Sequence, residues 1–185
     1  LDDYSIDPSN FGKNTPLAAY LKTIGEQAFG MMLPILAGFI AMSIADRPGL
    51  AVGLVAGLIA KMGCTFANPA GGDVNAGFLG ALFAGFVGGY IVVGLRKLFS
   101  KLPKSLEGIK PVLLYPVIGI FLAAVVTTFI NPYMGMINDG LTHFLNGMGG
   151  TSRIVLGMVL GGMMSIDMGG PFNKAAYVFG TAQLA

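Results

Sequence analysis

Charge is scarce in this chain: 11% of its 185 residues are Asp, Glu, Lys or Arg, against 54% hydrophobic. A soluble domain carries about 25% charged residues, so a water-facing globule is excluded and an integral membrane protein is expected. The formal net charge is +2, and the basic residues cluster locally instead of covering a face. That excludes a nucleic-acid partner. Cysteine is nearly missing as well. The single thiol, Cys64, rules out an intrachain disulfide or a cysteine metal cluster. It reads as a small buried apolar side chain rather than a reactive group. Zinc-ligand spacing, a phosphate-cradling loop and a hydrolase elbow are all absent. The Gly-Gly pairs at 88–89 and 169–170 are not GxGxxG, and no strand precedes either. No metal, cofactor or catalytic residue is therefore expected. No cleavable signal pattern opens the chain, because its first residues are polar and acidic, and so abrupt an opening is expected of a fragment.

Glycine and long apolar runs are what the sequence has. Its 29 glycines point to closely packed membrane helices. Residues 1–27 read as an external loop leading into a short helix, and 28–185 as a partial transmembrane domain. Spans are expected near 28–45, 49–63, 78–95, 112–130 and 154–180, since about 20 apolar residues cross a bilayer. The architecture is all-α, with about four to five membrane helices. The sequence DRPG at 46–49 reads as a tight turn, with proline presetting one position and glycine accepting another. Gly49, Gly53 and Gly57 recur every fourth residue, as do Ala81, Gly85 and Gly89. Each stripe leaves one helix face nearly bare for close packing. Lys61 is read as snorkelling to an interface, and residues 64–75 as an irregular loop.

Residues 96–110 carry Arg96, Lys97, Lys101, Lys104 and Lys110 against Glu107. By the positive-inside rule this segment is cytoplasmic. Alternation then puts 64–75 outside, 46–49 inside, 131–151 outside, and runs 154–166 inward. The span 112–130 is expected to end at Asn131 and Pro132. Beyond it, Ile137, Leu141, Phe144, Leu145 and Met148 share one helical face, opposite Asn138, Asp139, Thr142, His143 and Asn146. That is an amphipathic helix lying in the interface or on a partner subunit. His143, the sole histidine, reads as an ordinary interfacial residue rather than a phosphoacceptor.

The chain leads up to SIDMGGPFNKAAY at 165–177, a polar, glycine-broken stretch between apolar runs. Asp167 and Lys174 at membrane depth are a functional-site hypothesis by default. Gly169, Gly170 and Pro171 cannot continue a regular helix, and lipid offers no partner to the backbone groups they free. Transporters place broken or re-entrant helices of this kind around their substrates. Asn173 suits recognition of a hydroxyl-bearing solute, since one amide both donates and accepts. The bland alternative is a loop with both charges at the headgroups, Asp167 holding Asn173, Lys174 or freed amides. Asp167, Gly169, Gly170, Pro171, Asn173 and Lys174 are the candidate substrate-binding set.

DMGGPFNKAAY at 167–177 resembles a signature of the fructose-type enzyme IIC, the sugar-translocating membrane part of the bacterial phosphoenolpyruvate-dependent phosphotransferase system. PILAGFIAMSIADRPG at 34–49 and GFLGALFAGFVGGY at 77–90 resemble the same family, in its order. The resemblance implies a multi-pass protein of the bacterial inner membrane, homodimeric in its lipid. It implies that sugar, fructose by default, is bound from outside and presented by alternating access to a phosphocysteine on enzyme IIB. The phosphorylated residue then lies on that partner and not on Cys64. Family members also have an earlier span and a later Gly-Ile-Thr-Glu-Gly-like motif, so the part in hand is expected to be inactive alone. An ion-coupled secondary transporter or a structural membrane scaffold remains as an alternative from another class.

Overall fold

The first described helix starts at a cap. Thr15 caps the start, its hydroxyl accepting from the Ala18 amide at 3.3 Å, and Pro16 takes the first position, where a missing N–H costs nothing. The computed structural model describes residues 13, 15–72, 74, 76–101, 103, 107–147, 153–166 and 170–182. Among them are five α-helices and no strand: α1 (Pro16–Met62), α2 (Gly77–Phe99), α3 (Tyr115–Gly147), α4 (Arg153–Ile166) and α5 (Pro171–Ala182). A π-helical turn, Lys110–Leu114, leads into α3. The chain divides into two units, Leu1–Met32 and Leu33–Ala185. In the first, the described helix exposes its large apolar side chains, among them Leu17, Tyr20, Leu21 and Phe29.

In the second unit α1 is a hairpin. Ala45 and Asp46 leave helical geometry, Asp46 at φ 53°, and the chain reverses there. Gly53 then backs onto Ala37, and Gly57 onto Pro34 and Ala37. The reversal differs from the expected turn: Asp46, not Gly49, supplies the positive φ, and Gly49 is already in the helix, packed on Ala41. A non-glycine residue held there costs about 1–3 kcal/mol, and Arg96 offsets part of it. From the last turn of α2, its guanidinium donates to the Ala45 carbonyl at 2.6 Å and to Asp46 Oδ2 at 3.2 Å. The Asp46 side chain is 82% exposed, so the ion pair itself is worth little. The bond to an orphan helix carbonyl carries more. Arg96→Lys is expected to keep the charge but lose this two-point clasp. It should lower the unfolding midpoint by about 2–4 °C, nearly unchanged in high salt; a drop that salt abolishes would mean the ion pair dominates.

Small residues face inward and large ones outward. The core joins Val52, Ala56 and Ala60 of the hairpin to Ala84 and Val92 of α2 and Ala123 of α3. A Cβ built on Gly85 would stand 2.9 Å from the Ala37 carbonyl, and one on Gly89 2.8 Å from Ile44 Cβ. Meanwhile Phe83, Phe86, Tyr90, Phe121 and Phe129 are exposed. Water would not tolerate that arrangement, whereas lipid favours it. Among the described residues, three helical stretches are long and apolar enough to cross a membrane: Pro16–Met62, Gly77–Phe99 and Lys110–Gly147. The fold is that of an all-α membrane protein.

A further segment departs from the sequence expectation. The helix expected to end at Asn131 and Pro132 continues to Gly147, so the expected amphipathic segment is an extension of α3. A proline inside a helix costs about 3 kcal/mol, and tertiary bonds offset it here. Asn131, fully buried, donates to the Cys64 carbonyl at 2.8 Å and the Ile59 carbonyl at 3.3 Å, fastening α3 to the loop after α1. Of the apolar face assigned to that segment, Leu145 is buried while Ile137 and Phe144 are exposed. Within the basic run 96–110 the exposure varies. Lys97 and Lys101 are exposed, but Lys110 is buried to 9% exposure at the head of the π turn.

Candidate functional site: the break between two short helices

As described, α4 spans 14 residues and α5 12, and the two fold against each other. Met163 of α4 packs with Ala176 and Phe179 of α5 and with Leu145 of α3, and Leu156, Val159 and Leu160 border the cluster. Helix α5 also neighbours α3 and α2. The break thus hangs from the C-terminal arm of α3, on the far side of Pro132 from the main core.

The ends of the two helices are joined by a side chain. The Asn173 Nδ2 donates to the Met164 carbonyl at 3.1 Å, one of the four carbonyls that the end of α4 leaves without a helical partner. Ser165 turns its hydroxyl back onto the Gly162 carbonyl at 2.9 Å. On the other side Pro171 opens α5, and the Gly170 carbonyl accepts from the Lys174 amide at 3.0 Å, the first bond of that helix. Two helix termini, one rich in carbonyls and the other in N–H groups, therefore meet at one polar break. Such a point can accept and donate hydrogen bonds to a neutral polyol without charge.

The expected residues are distributed as follows. Gly170 is buried ahead of α5, Asn173 is half-buried in its first turn, and Lys174 is exposed beside it. Pro171 is the first residue of α5. Asp167 and Gly169 lie outside the described residues. The structure brings Gly170, Asn173 and Lys174 together at one helix start and sets Asn173 against the end of α4. Two apolar grooves of about 300 and 370 Å³ lie elsewhere, between the loop after α1 and the outer face of α3. Phe66 and Thr128 line both, and neither touches α4 or α5. Among the described residues no cluster of His, Cys, Asp or Glu is placed to hold a metal ion. Cys64 is buried, and His143 is exposed on the last turns of α3.

For Asn131 and Arg96, sequence reasoning missed the tertiary bonds they make. Each bonds backbone carbonyls far along the chain, which no local pattern announces. The signal available for Asn131 was an amide inside an apolar run, which in a membrane helix needs a partner.

The fold defines an all-α membrane protein in which the end of α4 and the start of α5 meet at a polar junction. The chain belongs to the family Phosphotransferase system, EIIC, whose model matches residues 3–185. It is 48% identical over 183 residues to a fructose permease IIC component of Bacillus amyloliquefaciens, covering 98% of this chain and 56% of that protein. It is 46% identical over 182 residues to a PTS system fructose-specific EIIABC component of Bacillus subtilis, covering 98% of this chain and 27% of that protein. A PTS system fructose-specific EIIB'BC component of Escherichia coli K12 is 43% identical over 176 residues, 92% of this chain and 28% of that protein. The chain thus spans little more than half of the first of these relatives and about a quarter of the others. No solved structure matches it.

Proposed function

We propose that this chain is part of the sugar-conducting membrane domain of a fructose phosphotransferase system. Sugar enters from outside, and its hydroxyl attacks a phosphoryl group carried on a cysteine of enzyme IIB. The S–P bond breaks and sugar phosphate leaves on the inside. The observation that carries this reading is the polar break between two short helices, in a chain of the EIIC family. Fructose is supported by the fructose-specific relatives, and an enzyme IIB partner by the EIIABC and EIIB'BC components among them. In this reading Asp167, Gly169, Gly170, Pro171, Asn173 and Lys174 line the sugar site. The transferase chemistry belongs to the complete protein, with the phosphorylated cysteine on the partner and no catalytic residue on this chain. The protein is placed in the bacterial inner membrane, multi-pass and homodimeric in its lipid. Residues 96–110 face the cytoplasm, where Lys97 and Lys101 are exposed beside the Arg96 clasp.

An ion-coupled secondary transporter would share the broken helix, but the family match weighs against it. The deciding experiment is uptake of radiolabelled sugars by the complete parent protein in vesicles, with and without a phosphoenolpyruvate-driven phosphorelay. Fructose should accumulate as its phosphate only with the relay. Relay-independent accumulation of unmodified sugar that collapses with the ion gradient would overturn the proposal.

A further inference from the structure

The most enclosed polar groups in the described chain lie one helical turn apart on α3. Thr127 is 3% exposed and Asn131 0%. Asn131 Nδ2 is committed to the Ile59 and Cys64 carbonyls, which fixes the amide's orientation, since a flip would set Oδ1 against two carbonyl oxygens. Oδ1 therefore looks away from that pair, and it meets no donor. The Thr127 hydroxyl has no partner either. Pro132 adds to the shortfall, because it has no N–H to give the carbonyl of Thr128 in the helical ladder. Buried polar groups without partners are strongly disfavoured, and each needs an account.

We propose that Thr127 and Asn131 bind one buried water molecule beside Pro132. Residues four apart on a helix share a face, with Cβ atoms about 5–6 Å apart, a gap that a single water bridges. Water both donates and accepts, so it can give a hydrogen to Asn131 Oδ1 and exchange one with the Thr127 hydroxyl. Gly80 of α2 faces that oxygen: a Cβ built there would stand 3.7 Å from Oδ1, with Ala76 and Ala60 Cβ 2.6 and 3.4 Å from the same point. A metal cation fits poorly, because it would find two neutral oxygens where such ions take six or more ligands. A sugar hydroxyl fits no better, because both side chains are closed off from any solute path.

The site lies between two packed bodies. Upstream, α3 joins the main core through Ala123; downstream, it joins the α4–α5 cluster through Leu145. The water ties Asn131 to Thr127 by exchangeable bonds in the turn before Pro132, where the helical ladder already lacks one backbone bond. This makes it the natural bending point of α3.

The test is the sign of a near-isosteric change. Thr127→Val and Thr127→Ser are made in the complete protein, purified in detergent, and helical signal is followed on heating. With a bound water, Thr127→Val removes one of its anchors and should lower the midpoint by about 3 °C, while Thr127→Ser retains most of the native value. If Thr127→Val leaves the midpoint unchanged or raises it, the hydroxyl was unpaired and the water site is wrong. If both variants fall equally, the methyl group and not the hydroxyl matters, and the proposal fails as well.

Discussion

Replacing Gly53 by valine is expected to prevent the α1 hairpin from closing. A Cβ there would stand 2.5 Å from the Ala37 carbonyl oxygen, 2.6 Å from Ala41 Cβ and 3.0 Å from Gly38 Cα. These are backbone atoms and a first side-chain carbon, so nothing can rotate aside. The arms would have to move apart along their whole contact, and α2 blocks escape on another side, because its Gly88 sits against Gly53. Separating the arms also opens the core at Val52 and Ala56. Ordinary overpacking costs about 1–3 kcal/mol, and a clash with rigid backbone on two sides belongs at or above the top of that range. The expected result is loss of nearly all folded protein, measured as the monodisperse fraction after detergent extraction. Gly94→Val is the control: no atom lies within 4 Å of its Cβ position, and it should behave as the parent does. Equal recovery of the two variants would mean that the hairpin contact is not what holds α1 together.

This contact shows which features were readable in advance. A four-residue glycine period is a local property of one helix, and it needs only some neighbour to be useful. The stripes at 49, 53, 57 and at 81, 85, 89 could therefore be read without knowing which surfaces they would meet. The interruption near Gly170 and Pro171 was readable for the same reason, since neither residue type depends on a partner to disfavour regular helix. What failed to show were rules that tertiary contacts override. Proline at 132 argues locally for a helix end, but Asn131 draws carbonyls from 72 and 67 residues away and the helix runs on. Arg96 was legible as charge and so as topology, whereas its clasp on Ala45, 51 residues earlier, was not. The turn expected over 46–49 closes at its first residue, Asp46, and not at Gly49, for a related reason. Gly49 has the freedom that a turn wants, but its bare face is spent on packing against Ala41.

At the candidate site the same distinction separates two roles for Asn173. Asn173→Asp, made in the complete protein, is expected to cut sugar uptake about 100-fold, the scale that a displacement of about 1 Å at a binding site produces. The change removes the N–H that reaches the Met164 carbonyl and substitutes a carboxylate oxygen. That oxygen would face the carbonyl end of α4, where the helix dipole already repels negative charge. The two helices would part at their break while remaining tied below through Met163, Ala176, Phe179 and Leu145. Expression and heat resistance should therefore change much less than transport does. Asn173→Gln keeps a donor on a longer arm and should recover part of the activity. Uptake is measured beside equilibrium sugar binding. A drop in both for Asp, with partial recovery of both for Gln, is the pattern of a side chain that positions the break. Full loss in both variants at normal stability would make the amide a direct sugar ligand. Unchanged uptake with Asp would remove Asn173 from the site, and with it the link between α4 and α5 on which the proposed geometry rests.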